Sequence, residues 1–184
     1  MKKYTLFTFL LLITCSFFAK AFCQSEGLKV VIIRHGEKPD NGDNLNCQGF
    51  NRSVELPKVL NAKFGSSATL FVPSIGTGKR SGNSRMFQTI TPYAVKYNLA
   101  INSKYDEQDY QNIAANVLKR TGIVIMVWEH KAINNLAKAL GVKQASQWQS
   151  NDFDSIWIIT YKKSGKAVLT IDKEGLTPSA GCQF

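Results

Sequence analysis

The chain has 184 residues, 44% of them hydrophobic, and a formal net charge of +10. It holds no internal repeat, low-complexity tract or linker, so its length suits one domain with a full core rather than an array. The basic residues are scattered, without a dense Lys/Arg block or interleaved aromatics, which weighs against specific nucleic-acid binding and leaves anionic substrates as the favoured partners.

In chain order, the first segment reads as a targeting signal. Lys2 and Lys3 precede an uncharged apolar run over residues 4–18, and small residues around Ala19, Ala21 and Cys23 offer a cleavage site. The run is short for a membrane span, and Lys20 closes it. Thr14 and Phe22 precede Cys15 and Cys23, where a lipidation signal wants a very small residue. The expectation is a cleaved signal peptide over 1–23 and a single domain over 24–184. The mature chain is expected to be periplasmic or secreted, with no transmembrane segment left after cleavage.

Residues 30–33 form an apolar β-branched run that predicts a buried strand over 29–33. A polar loop over 38–46 follows, then a helix over about 48–64, with Pro57 predicting a kink or break. Residues 69–72 predict a second short strand, and 84–97 and 109–119 predict helices. The most apolar strand is expected at 123–128, followed by a helix over 131–140 that stops at Gly141. Residues 156–161 and 167–171 pattern as a hairpin turning at Ser164-Gly165. Strands alternating with helices predict an α/β three-layer sandwich, a mainly parallel doubly wound sheet with an antiparallel edge hairpin.

Two of the four cysteines lie in the signal segment, leaving Cys47 and Cys182. An even pair in an oxidising compartment predicts a Cys47–Cys182 disulfide, with two buried thiols as the alternative.

The chain has two histidines, His35 and His130, and both follow predicted core strands. Strand ends of this kind converge on one crevice where the strand order of an α/β sheet reverses. Arg34 stands beside His35, and Arg85 opens the helix after the second strand, where a helix N-terminus favours anions. Guanidinium groups fork onto phosphate oxygens, and an imidazole can serve as nucleophile.

Four motifs fall in order along the chain. They are Arg34-His35-Gly36; Leu45-Asn46-Cys47-Gln48-Gly49 with Arg52; Arg85-x-x-Gln88-Thr89-x-x-Pro92; and His130 before an apolar helix ending Leu140-Gly141. On these residues the chain resembles the histidine phosphatase superfamily, in its phosphoglycerate mutase-like branch. The resemblance implies that His35 attacks phosphorus and carries a transient phosphohistidine. It implies that Arg34, Arg85 and His130 hold the phosphoryl oxygens, and that neither metal nor cofactor is needed. A general acid is also needed. Glu37, next to the nucleophile, is the first candidate, and Asp106 or Glu107 follow.

The chain departs from the family at Glu129, where glycine often precedes the second histidine. A carboxylate there would repel substrate, orient His130 or act as the acid. The short stretch between Tyr97 and Gln108 argues against a sugar-phosphate mutase. Lys79 and Arg80 read as solvated loop charges near the pocket. The leading expectation is an exported phosphatase acting on phosphate monoesters or protein phosphohistidine, so its partner is a phosphorylated small molecule or phosphoprotein. The alternatives are a catalytically weak or inactive phosphate-binding envelope protein of the same fold, and an envelope interaction module.

Overall fold

The computed structural model describes residues 27–182, except Thr77, Lys79 and Arg80. The expected signal peptide and the two loop cations therefore lie outside the described residues. Six strands form one sheet: β1 (Lys29–Arg34), β2 (Ala68–Phe71), β3 (Ile101–Asn102), β4 (Ile123–Trp128), β5 (Ser155–Tyr161) and β6 (Ala167–Lys173). Four helices accompany them: α1 (Cys47–Phe64), α2 (Ser84–Tyr97), α3 (Tyr110–Val117) and α4 (His130–Ala139). The strand order is β3-β2-β4-β1-β5-β6. The first four strands in that order are parallel, and β5 and β6 run antiparallel at the other edge. The fold is the expected α/β sandwich.

Period-two alternation divides the core between the two faces of the sheet. Val31, Ile33, Ile125 and Val127 pack with Leu56 and Leu60 of α1 and Ile90 and Tyr93 of α2. Val30, Ile32, Val124 and Met126 face the other way, onto Ile113 and Val117 of α3 and Ile133 and Leu136 of α4. Both central strands are buried on both faces, which is why they read as unbroken apolar runs rather than alternating ones.

Two sequence expectations change. The helix α1 runs through Pro57 without interruption, so the predicted break is absent. The two-residue strand β3 lies in the stretch read as loop, too short to leave a periodic signal. The hairpin turn falls where expected, with Gly165 at φ 76° and its N–H donating to the Lys162 carbonyl at 2.8 Å.

Candidate active site

Register builds the site. β1 and β4 lie side by side with Arg34 opposite Trp128, so His35 and the Glu129-His130 pair leave the sheet together. The His35 N–H donates to the Trp128 carbonyl at 3.2 Å, extending the ladder by one residue. The chain then turns to opposite faces: α1, after β1, covers one, and α4, directly after β4, covers the other. The two histidines stand in the resulting crevice, at a topological switch point.

A backbone clamp fixes the loop carrying His35. A Cβ placed on Gly36 would lie 2.8 Å from the Gly49 carbonyl oxygen, and one on Gly49 would lie 2.6 Å from the Glu37 nitrogen. Glycine at both places lets the first turn of α1 press against the end of β1. Asn46 caps that turn by accepting from Gly49 N at 2.9 Å. From α2, the Thr89 hydroxyl accepts from Gly36 N at 2.9 Å and donates to the Arg85 carbonyl at 2.8 Å. The Thr of the second arginine motif thus ties α2 to the histidine loop.

His35 is fully buried. Its Nδ1 lies 2.7 Å from the carbonyl oxygen of Gly36, and its Nε2 lies 3.0 Å from Glu129 Oε2. A carbonyl and a carboxylate are both acceptors, so each ring nitrogen faces a group to which it donates when it carries the proton. The other Glu129 oxygen makes a close ion-pair contact with His130 Nδ1. Burial alone would push the Glu129 carboxyl up. The hydrogen bond from His35 and the charges of His35, His130 and Arg34 outweigh it and hold it at about 2. Burial and the Arg34 charge hold His130 below the usual imidazole range, against the pull of Glu129.

Arg34 is 2% exposed and donates from one terminal nitrogen to the carbonyls of Ser150, at 2.6 Å, and Asp152, at 3.3 Å. Its guanidinium carbon stacks 3.8 Å from the centre of the Phe153 ring. Arg34 Nε is buried without an acceptor among the described residues, a donor that an oxyanion would satisfy. Arg85 reaches from the first turn of α2 to the carbonyls of Gly42 and Asn44, and it lines a cleft with Glu107 and Glu129. The two histidines thus contact one carboxylate, with the Arg34 charge acting on it and Arg85 bordering the same cleft.

No family model matches this chain, and no curated protein matches it. Solved structures do. The protein histidine phosphatase SixA, complexed with tungstate, superposes with a TM-score of 0.58 at 15% identity, over 79% of this chain and 97% of that one. Phosphoglycerate mutase from Plasmodium falciparum gives a TM-score of 0.53 at 13% identity, over 79% and 90%. A protein assigned as a phosphohistidine phosphatase SixA, from Agrobacterium tumefaciens, gives 0.51 at 15%, over 82% and 98%. The chain has the histidine phosphatase fold. The family resemblance read from the four motifs agrees with that fold.

Within this histidine phosphatase fold, Glu37 does not have the surroundings of a general acid. Arg52 grips both its oxygens, at 2.7 to 3.1 Å, and a second carboxylate, Glu174, takes the remaining terminal nitrogen at 2.6 Å. The fork engages both Glu37 oxygens as acceptors. Glu37 belongs to a buried ion triad with Arg52 and Glu174. Asp106 is also engaged, accepting from Ser74 Oγ at 2.5 Å.

Glu107 differs from both. It lines the cleft with Arg85 and Glu129, and burial and the Glu129 charge push its carboxyl above the usual range. Trp128 Nε1 donates to the Glu107 carbonyl at 2.9 Å, anchoring this loop to the end of β4. Sequence reasoning missed Phe153, Asp152 and Glu174, which stand more than a hundred residues from the arginines they contact and carry no motif. Cys47 and Cys182 form a disulfide. Asn51 Nδ2 donates to the carbonyls of Ser179 and Gly181, so the tail is strapped to α1 beside it.

Proposed function

We propose that this protein is an exported phosphatase that hydrolyses phosphate monoesters or protein phosphohistidine through a phosphohistidine intermediate on His35. The observation carrying this reading is a buried histidine whose Nδ1 faces the Gly36 carbonyl and whose Nε2, with His130 Nδ1, faces one carboxylate in a crevice that Arg34 and Arg85 border. Pinning Nδ1 leaves Nε2 as the reacting nitrogen. The guanidinium groups of Arg34 and Arg85 supply preorganised charge for the phosphoryl oxygens, the largest contribution in such transfers, without calling on a metal.

In this mechanism an oxyanion entering between the histidines displaces the Glu129 carboxylate, and the Nε2 proton passes to water. The Nε2 lone pair attacks phosphorus in line as the bond to the leaving oxygen breaks. Glu107, whose carboxyl burial and the Glu129 charge push up, gives its proton to that oxygen. Water, losing a proton to the Glu107 carboxylate, then attacks phosphorus. The N–P bond breaks and inorganic phosphate leaves. The short 98–108 stretch leaves the cleft open, in keeping with hydrolysis rather than mutase chemistry.

Export rests on the residue pattern at 1–23 and is supported by the Cys47–Cys182 disulfide. Among the described residues no helix is long and apolar enough to cross a membrane. Fractionation of the native host with N-terminal sequencing of the mature chain tests this part; an intact Met1 in the cytosol overturns it.

The test of function is phosphate release from a panel of monoesters by residues 24–184, beside His35→Ala, with EDTA present. Activity that survives EDTA and disappears in the variant is expected. Activity retained by His35→Ala overturns the mechanism. One observation favours a second reading, a phosphate-binding protein with weak or no turnover: the Glu129 carboxylate rests against the nucleophilic nitrogen. Acid-labile phosphate trapped on His35 during turnover rejects that reading, and oxyanion binding without any trapped phosphate supports it.

A further inference from the structure

Glu129 occupies the position that the pocket's donors define. One oxygen faces His35 Nε2 at 3.0 Å and the other contacts His130 Nδ1, so the carboxylate fork stands in for one edge of a phosphoryl group. Arg34 adds a third favourable charge. The residue cannot move far. Its backbone starts α4, with the Glu129 carbonyl accepting from Ala132 N at 2.9 Å and Ile133 N at 3.2 Å. An incoming anion can rotate the side chain aside, but the negative charge stays within a side chain's reach of the pocket.

Resting on the phosphoryl-pocket reading above, we propose that Glu129 sets the charge this site accepts, favouring singly charged phosphoryl groups, as in a phosphodiester, over the dianion of a monoester. Two consequences of the carboxylate separate here. As an occupant it costs every tetrahedral ligand the same displacement. As a charge it repels a dianion twice as strongly as a monoanion, because Coulomb energy is linear in ligand charge. A ratio of affinities for two ligands of one shape and different charge cancels the first effect and reports the second.

Tungstate and perrhenate are such a pair: both are tetrahedral, with charges of two and one. Their binding to the folded 24–184 chain is measured by calorimetry for wild type, Glu129→Gln and Glu129→Ala, with thermal melts confirming that each is folded. Removing the charge is expected to tighten tungstate about 100-fold and perrhenate about 10-fold, shifting the ratio about tenfold. Equal gains for both anions overturn the proposal and leave Glu129 a mere occupant. Weaker tungstate binding in both variants also overturns it, since the carboxylate would then be aiding the site. Binding of neither anion by any of the three proteins overturns the phosphoryl pocket itself, and the inference with it. Among turnover substrates the same ratio is read from bis(4-nitrophenyl) phosphate against 4-nitrophenyl phosphate, which share one leaving group. The diester-to-monoester rate ratio should fall about tenfold from wild type to Glu129→Gln, and an unchanged ratio counts against the proposal.

Discussion

Arg52 holds Glu37 by both carboxylate oxygens and Glu174 by one, inside a core where each of the three is at most 9% exposed. The guanidinium joins the histidine loop, α1 and the segment after β6 at one point. Removing it leaves two carboxylates buried without a cation. Arg52→Met is therefore expected to cost about 3 to 5 kcal/mol, seen as a lower urea midpoint with little change in slope. A loss below about 1 kcal/mol, the range of an exposed pair, would mean that the triad is solvated in solution.

Glu174 gives the fold a pH dependence. Burial, helped by the charges of Asp154 and Glu37, pushes its carboxyl up to about 7 despite Arg52. An unfolded chain titrates this group near about 4.3. The folded state binds the proton more tightly, so this contribution is fully present below the unfolded value and is lost as pH rises through about 7. Urea midpoints taken across that window should decline for wild type, and the decline should shrink in Glu174→Gln. Parallel slopes would remove Glu174 as the source.

Glu107 is expected to matter in proportion to the leaving group's need for a proton. Glu107→Gln should slow alkyl phosphates by roughly 10²- to 10⁴-fold and aryl phosphates far less. Because its carboxyl sits above the usual range, wild-type activity on alkyl phosphates should fall as pH rises through that raised value. The variant should lack that limb. Asp106→Asn, in which the Ser74 partner keeps an acceptor, should leave the leaving-group dependence unchanged. A uniform loss across all leaving groups in Glu107→Gln assigns the acid elsewhere.

The disulfide closes a loop with a sequence separation of 135. A long loop loses much unfolded-state entropy when cross-linked, so Cys47→Ser with Cys182→Ser should cost about 2 to 4 kcal/mol. The Asn51 contacts to Ser179 and Gly181 should keep part of the tail in place, so activity should change less than stability. Chemical denaturation with and without reductant checks both statements. An unaltered midpoint would show that the tail contributes nothing to the folded state.

The layout of the fold was legible because its central strands are buried on both faces and so appear as plain apolar runs, Val30–Ile33 above all. The turn at Gly165 was legible because its backbone angle is one that glycine tolerates. Arg34, His35 and the Glu129-His130 pair leave the sheet side by side, since β1 and β4 are parallel and in register. What escaped is pairing at long range. Nothing in the local sequence of Glu37 announces that Arg52 will hold it, or that Glu174 will share that arginine. Phe153 reaches Arg34 only because the loop before β5 folds over the crevice, and no periodicity records that. The short β3 escaped for a simpler reason, having two residues where a pattern needs several.

The bridge between Cys47 and Cys182 makes residues 47–182 a covalent ring. Arg85, Glu107, Glu129 and His130 all belong to the ring, whereas Arg34 and His35 do not. Yet β1, which delivers them, is hydrogen-bonded on both sides by ring strands, β4 and β5. Among the described strands, β1 with its terminal Arg34 and the adjoining His35 is thus the one seated in the sheet without belonging to the covalent ring.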